Sequence, residues 1–265
     1  MSITAPFYNV FEDGDLRKWW SIAHFTYVTV SDPAQNGLKL MKIIPTNEKD
    51  KWVYQPAKFR REYEPASSRY PNAPTYNATN HPLLRYSDVL LMFAEAENAI
   101  NGPTADAIAA VNKVRERAWS TGVKSIEITN GGSGYTEAPT VTFSAGNGST
   151  ATGTATISGG QVTGITLDRD QTGVTFYNEG KYTDPPTITI SGGGGSGAEA
   201  TATIYSVQDG DVTPAQSASK EAFLSLIQDE RMREFNMEGQ RKADLLRWGI
   251  FLKVNQDVGN TAQQD

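Results

Sequence analysis

From about Gly122 to about Gly210 the chain is written in Gly, Thr, Ser and alternating Val or Ile, with almost no helix formers, and the block repeats itself. Tyr135–Ser144 (YTEAPTVTFS) matches Tyr182–Ser191 (YTDPPTITIS) at a spacing of 47 residues, and Ala155-Thr156-Ile157 matches Ala202-Thr203-Ile204 at the same spacing. Upstream, Ile126-Glu127-Ile128 matches Ile165-Thr166-Leu167 at a spacing of 39, so the second copy carries 8 extra residues, within Asp168 to Gly180. Strand side chains alternate between two faces, and β-branched residues fit that surface, so the block is a β segment built from two copies of one strand–turn–strand unit.

The flanks follow a different period. Val89, Leu90, Phe93, Ala96 and Ile100 fall at helical spacing until Asn101-Gly102-Pro103 stops them, and Ala107, Ile108, Val111, Val114 and Ala118 continue on a second stripe after a Thr104 cap. The short link forces an antiparallel hairpin. A second hairpin is expected near the C-terminus. There Ser219 caps a helix carrying Phe223, Leu226 and Ile227, Gly239 breaks it, and Leu245, Leu246 and Trp248 belong to the next. The two hairpins should share a core containing Phe93, Val111, Leu226 and Leu245. Residues 1 to about 80 are rich in aromatics and proline, with strand-like runs at Tyr27–Val30 and Lys39–Ile44, and Pro65 to Pro82 reads as extended loop. Two units follow: 122–209 as an inserted β-repeat segment, and 1–121 with 210–265 as the helical region.

Lys+Arg 24 against Asp+Glu 30 gives a net charge of -6 with no basic stripe, which argues against nucleic acid as a partner. With no cysteine there is no disulfide, thiolate nucleophile or zinc–thiolate site. No stretch approaches the roughly 18 apolar residues of a membrane span, so any secretion signal or lipid anchor is expected on sequence outside this chain.

Four ordered motifs carry a resemblance. His81–Ala96 (HPLLRYSDVLLMFAEA), Ala109–Ala118 (AAVNKVRERA, an Asn-x-x-Arg-x-Arg-Ala pattern), Ile227–Glu234 (IQDERMRE, a Glu-Arg-x-x-Glu helix) and Glu238–Gly249 (EGQRKADLLRWG) resemble the signatures of the SusD/RagB family of outer-membrane nutrient-binding lipoproteins. A weaker echo lies in Phe11–Arg17, with its Asp-x-Arg. The resemblance implies a mainly α fold of tetratricopeptide-like helical hairpins with the all-β two-repeat segment inserted, α+β overall, forming a C-terminal portion of a longer protein. It also implies a role. Such a protein sits on the outward face of the bacterial outer membrane, touches the membrane only through a lipid anchor, and captures a glycan or other oligomeric nutrient for a TonB-dependent, SusC-like transporter. The alternative is a surface structural or adhesive module whose working part is the β repeat.

Glu230 and Glu234, four residues apart, could be read as paired carboxylates for hydrolysis, but Arg231, Arg233, Arg241 and Arg247 offer partners for a buried ion-pair network that locks helices together. The same structural reading holds for Glu95 and Arg85. No catalytic residue, metal site or cofactor is therefore assigned. His24 and His81 have no ligand-spaced neighbours; Asp13-Gly14-Asp15 and Asp209-Gly210-Asp211 read as turns, as does Gly192–Gly197. Aromatics are the better binding candidates, because a flat ring stacks on the apolar face of a sugar. Trp19, Trp20, Trp52 and Tyr54 are assigned as the ligand-binding set; Tyr27 and Tyr76 lie in the same irregular third, while Trp119 and Trp248 are assigned to packing.

Overall fold

The computed structural model describes residues 3–23, 25–29, 39–43, 54–59, 80–168 and 179–264. It divides into two compact units, Met1–Ala118 with Asp211–Asp265, and Trp119–Gly210.

In the first unit, α1 (Ala5–Asn9), α2 (Arg17–Ser21) and a strand pair β1 (Ile22–Ala23) and β4 (Gln55–Pro56) precede the long helices. Between them β2 (Phe25–Thr29) and β3 (Lys39–Ile43) pair antiparallel, in the two runs whose composition favours strands. The helices α3 (Tyr86–Asn101), α4 (Ala105–Ala118) and α5 (Lys220–Glu234) form the main core; α6 (Arg241–Arg247) and α7 (Phe251–Gln264) follow. Gly102 at φ 89 ends α3, a left-handed turn that a side chain would strain, and the Thr104 hydroxyl accepts from the Ala107 amide at 3.3 Å to start α4. Ser219 caps α5 in the same way, accepting from Ala222 N at 3.1 Å.

The hairpins pack together across the sequence gap. Leu91, Ala94, Val111, Val114, Phe223, Leu226 and Ile227 form one buried cluster. Asn98 donates to Lys220 O at 2.8 Å, and Lys220 Nζ reaches Ala99 O (3.0 Å) and Ile100 O (2.8 Å), a cation placed on the carbonyl end of α3. The face of α3 differs from the expected one. Ser87, Asp88, Leu91, Ala94 and Asn98 are buried, while Val89, Phe93 and Ile100 are exposed, Phe93 at 46%. α3 is apolar on most of its circumference, so periodicity does not select a face. The selection comes from small residues that let α4 and α5 approach, and from Asp88 and Asn98, which find polar partners only there. Leu245 is buried but stands outside the main cluster.

Among the described residues, the regular elements of the second unit are strands, apart from a 3-10 turn at Val207–Gly210. β5 (Val123–Ser133) pairs with β10 (Ser196–Ile204), and a four-stranded sheet runs in the order β8 (Gln161–Leu167), β7 (Gly153–Ser158), β6 (Thr140–Phe143), β9 (Ile188–Ser191). Each copy of the repeat supplies three strands, and the two copies interlock with pseudo-twofold register. Ala155↔Ile165 in β7–β8 recurs as Ala202↔Ile126 in β10–β5, and both ladders shift at the equivalent step, Thr156/Ile157 and Thr203/Ile204. In β6–β9, Val141↔Ile190 and Phe143↔Ile188 are each other's image. The buried residues obey the same relation: one cluster holds Phe143, Ala151, Tyr182 and Ala202, the other Ile190, Ala198, Tyr135 and Ala155. Tyr182 OH accepts from Ala151 N at 2.7 Å, and its counterpart Tyr135 OH from Ala198 N at 3.4 Å. The repeat is thus not two independent modules, since each copy closes edges that the other would leave unpaired.

With ten strands beside seven α-helices among the described residues, the chain is a mixed α/β protein, and the expectation of a mainly α fold is corrected. The helical motifs are the recognisable part of the sequence, but strands occupy both units.

Candidate functional site

Five residues make a helix too short to hold itself, and α2 is fixed by long-range bonds at both ends. At its start, Asp15 accepts from the Arg17 amide (3.0 Å), Nε (2.9 Å) and Nη2 (2.8 Å), while Arg17 Nη1 donates to Glu230 Oε1 (2.6 Å) and Glu234 Oε2 (3.0 Å) on α5. Leu16 N donates to Ala118 O at 3.0 Å. At its end, Asn236 donates to the Ser21 hydroxyl at 2.8 Å, and Ser21 O accepts from Ala57 N at 2.9 Å.

Trp19 and Trp20 ride on this anchored turn. Trp20 is 43% exposed and Trp19 is half-buried. Tyr54 belongs to the interior: it is 1% exposed, packs with Ile3, Phe11 and Ile22, and stacks on Tyr8 with centroids 5.4 Å apart and planes 11° apart, which leaves its ring no face for a sugar. Trp52, His24 and Tyr76 lie outside the described residues. Of the four candidate rings the structure thus leaves Trp20 exposed and Trp19 partly buried on α2, and puts Tyr54 in the core. Trp119 is buried, and Trp248 Nε1 donates to Glu95 at 2.8 Å.

Two carboxylates of α5, Glu230 and Glu234, are spent on guanidiniums. Glu230 is fully buried and accepts from Arg17, from Arg233 (2.9 Å and 3.1 Å) and from Arg115 (3.3 Å); Glu234 accepts from Arg17, Arg85 (2.8 Å) and Arg117 (2.5 Å). Burial by itself would push both carboxyls up, but the facing arginines outweigh it and hold each at about 2. Of the four arginines named from the sequence, only Arg233 touches Glu230. Arg231 pairs with Asp88 (2.7 Å) and Asp244 (2.8 Å), Arg247 with Glu95 and Asp244, and Arg241 bonds Gln228 O. Arg85, expected in such a network, pairs with Glu234, and the further partners lie in the recognised motifs: Arg115 and Arg117 in Asn-x-x-Arg-x-Arg-Ala, and Arg17 in Asp-x-Arg. Their spacing shows no pairing, because the contacts span more than a hundred residues.

Arg85 also ties Glu238 (2.8 Å), as does Lys58, and His81 Nε2 meets Glu238 O at 3.0 Å. Both Asp15 oxygens are occupied by Arg17, and Asp209 takes Lys124 (3.0 Å), so neither Asp-Gly-Asp triplet offers a free pair of carboxylates.

The chain is similar to known proteins in a consistent direction. Residues 5–156 and 196–265 match the model of the SusD family, leaving 157–195 of the β unit unmatched. A 51-residue stretch is 51% identical to "SusD-like protein P25" of Formosa agariphila, covering 19% of this chain and 10% of that protein. A solved SusD homologue from Bacteroides thetaiotaomicron aligns over 94% of this chain at 20% identity and a TM-score of 0.43, and the chain spans 32% of it. With a family match that covers most of its length, this chain belongs to the SusD family.

Proposed function

We propose that this chain is part of a nutrient-binding protein on the outward face of the bacterial outer membrane, which captures a glycan and passes it to a TonB-dependent, SusC-like transporter. A lipid anchor on sequence outside this chain would hold it there. Family membership supports this reading. The observation that carries the site is Trp20, a half-exposed indole on a turn immobilised by Arg17 and Ser21, with Trp19 beside it. An exposed ring on an anchored backbone loses less freedom on stacking against a pyranose than one on a free loop. Glu230 and Glu234 are not a hydrolytic pair, since a glycosidase needs one protonated acid and the arginines hold both of them ionised.

The β unit carries a second reading, as a spacer or adhesive surface. Tyr135, Phe143 and Tyr182 are buried in it, while Ser191, Thr140, Thr154 and Thr166 form an exposed hydroxyl row across four strands.

Titration calorimetry of a glycan panel against the chain and its Trp20→Ala variant tests the site. Loss of about 1–2 kcal/mol of affinity with an unchanged melting temperature is expected, the size of an interface hot spot. Equal affinity in the variant would remove Trp20 from the site.

A further inference from the structure

The helical unit also holds an apolar cavity that the glycan reading does not use. A cavity of about 600 Å³ opens between α1, α5, α6 and α7, walled by Ile3, Phe7, Met232, Phe235, Leu245 and Val258. Its volume falls in the range of small-molecule sites, roughly 300–1,000 Å³. Neither Trp19 nor Trp20 lines it.

The polar groups on its wall identify what it can hold, because most are already spent. Arg231 is engaged by Asp88, Asp244 and Gln240. Asn236 gives its amide N–H groups to Ser21 and Arg233 O while its Oδ1 is buried without a hydrogen-bond partner among the described residues, the Thr4 hydroxyl accepts from Phe7 N, and Asp257 is paired with Lys253 at 2.6 Å. Arg241 is different. Of its five N–H donors it directs only Nη1, at 3.3 Å, to Gln228 O; its guanidinium lies over the Trp248 ring at 5.9 Å from the centroid, and it makes no salt bridge among the described residues. Burial pushes its guanidinium pKa down, against the opposing pull of nearby Asp244 and Asp229, so its charge is desolvated without a direct counter-ion. Met237, at the rim, sits at φ 63, a left-handed conformation that costs a side-chain-bearing residue energy and that ligand clamps often retain.

An open apolar cavity, with a cation on its wall that has no ion-pair partner among the described residues, suits one chemistry. We infer that this cavity binds a single-chain amphiphile with an anionic head, a fatty carboxylate whose chain fills the apolar wall and whose carboxylate accepts from Arg241. This site is independent of the glycan reading.

Decanoate and 1-decanol, both kept below self-association, are titrated against the chain, Arg241→Met and Val258→Glu, with the fold of each variant checked by its melting curve. Saturable one-to-one decanoate binding is expected, weakened roughly tenfold by Arg241→Met, the size of a lost charge-assisted bond. Decanol binding should not change in that variant. Val258→Glu, which puts a charge on the apolar wall, should abolish both. The inference is overturned by the absence of saturable decanoate binding, or by decanoate and decanol responding equally to Arg241→Met. Full binding in a folded Val258→Glu would overturn it too. If Val258→Glu does not fold, the Arg241→Met comparison decides alone. None of these outcomes touches Trp20.

Discussion

Replacing Glu230 by Gln removes one negative charge and almost no volume, so its effect reads out the ion network directly. The carboxylate is 0% exposed and receives Arg17 at 2.6 Å, Arg233 at 2.9 Å and Arg115 at 3.3 Å. Gln offers a single acceptor oxygen and turns an amide N–H toward a guanidinium. Removing one partner from a buried ion cluster typically costs about 3–5 kcal/mol. The depressed carboxyl gives an independent figure. A fall from 4.5 to about 2 corresponds to a charged form favoured by on the order of 3 kcal/mol. The two routes agree. Urea denaturation followed by far-ultraviolet circular dichroism should therefore show Glu230→Gln less stable by about 3–5 kcal/mol at neutral pH, roughly 6–20 °C in melting temperature for a domain of this size. Glycan affinity should fall only modestly, because Glu230 makes no surface contact but anchors Arg17 at the start of the α2 turn that carries Trp20. A loss below about 1 kcal/mol would mean that the arginines find other partners or water on unfolding the contact, and the network would then be scaffolding of little weight.

Acid titration and a deletion extend the argument. Glu230 and Glu234 both have folded pKa values lowered to about 2, so their stabilisation is complete above the ordinary carboxyl value of 4.5 and is lost as pH falls through about 2. Stability measured in urea should accordingly drop between roughly pH 5 and 2, less steeply in Glu230→Gln; a flat profile would contradict the depressed values. Removing about 122–209 and joining the ends with a short linker should leave the helices folded. The flanks already meet within the helical unit, where Asn112 Oδ1 accepts from Val212 N at 2.8 Å. Loss of helical circular dichroism in that variant would show that the β segment is integral to the helical fold.

Much of the architecture was legible as period and punctuation. The Gly102 stop, the Thr104 and Ser219 caps and the alternating Val/Ile runs are local signals, and each acts through residues within a few positions of itself. The 47-residue repeat likewise announced strands. It did not announce that the copies exchange edges, because pairing partners are chosen by three-dimensional closure, and a sequence match records only similarity. The α3 face failed for a related reason: on a helix apolar nearly all round, the buried side is decided by which neighbour approaches, and Asp88 and Asn98 were the only hints. For the binding residues, an aromatic count in an irregular segment does not separate a half-exposed Trp20 from a Tyr54 stacked under Tyr8.

The sequence by itself therefore determined the helical hairpins, the β character of the central segment and the family motifs, since these rest on local propensity and spacing. Only the tertiary structure decided that Glu230 belongs to Arg17, Arg115 and Arg233, that Arg241 has no salt bridge among the described residues and lines an apolar cavity, and that Trp20 faces solvent. Charge pairing and burial depend on which distant residues share a small desolvated volume, and in that volume the energy of an ion or a ring is set by neighbours far removed along the chain.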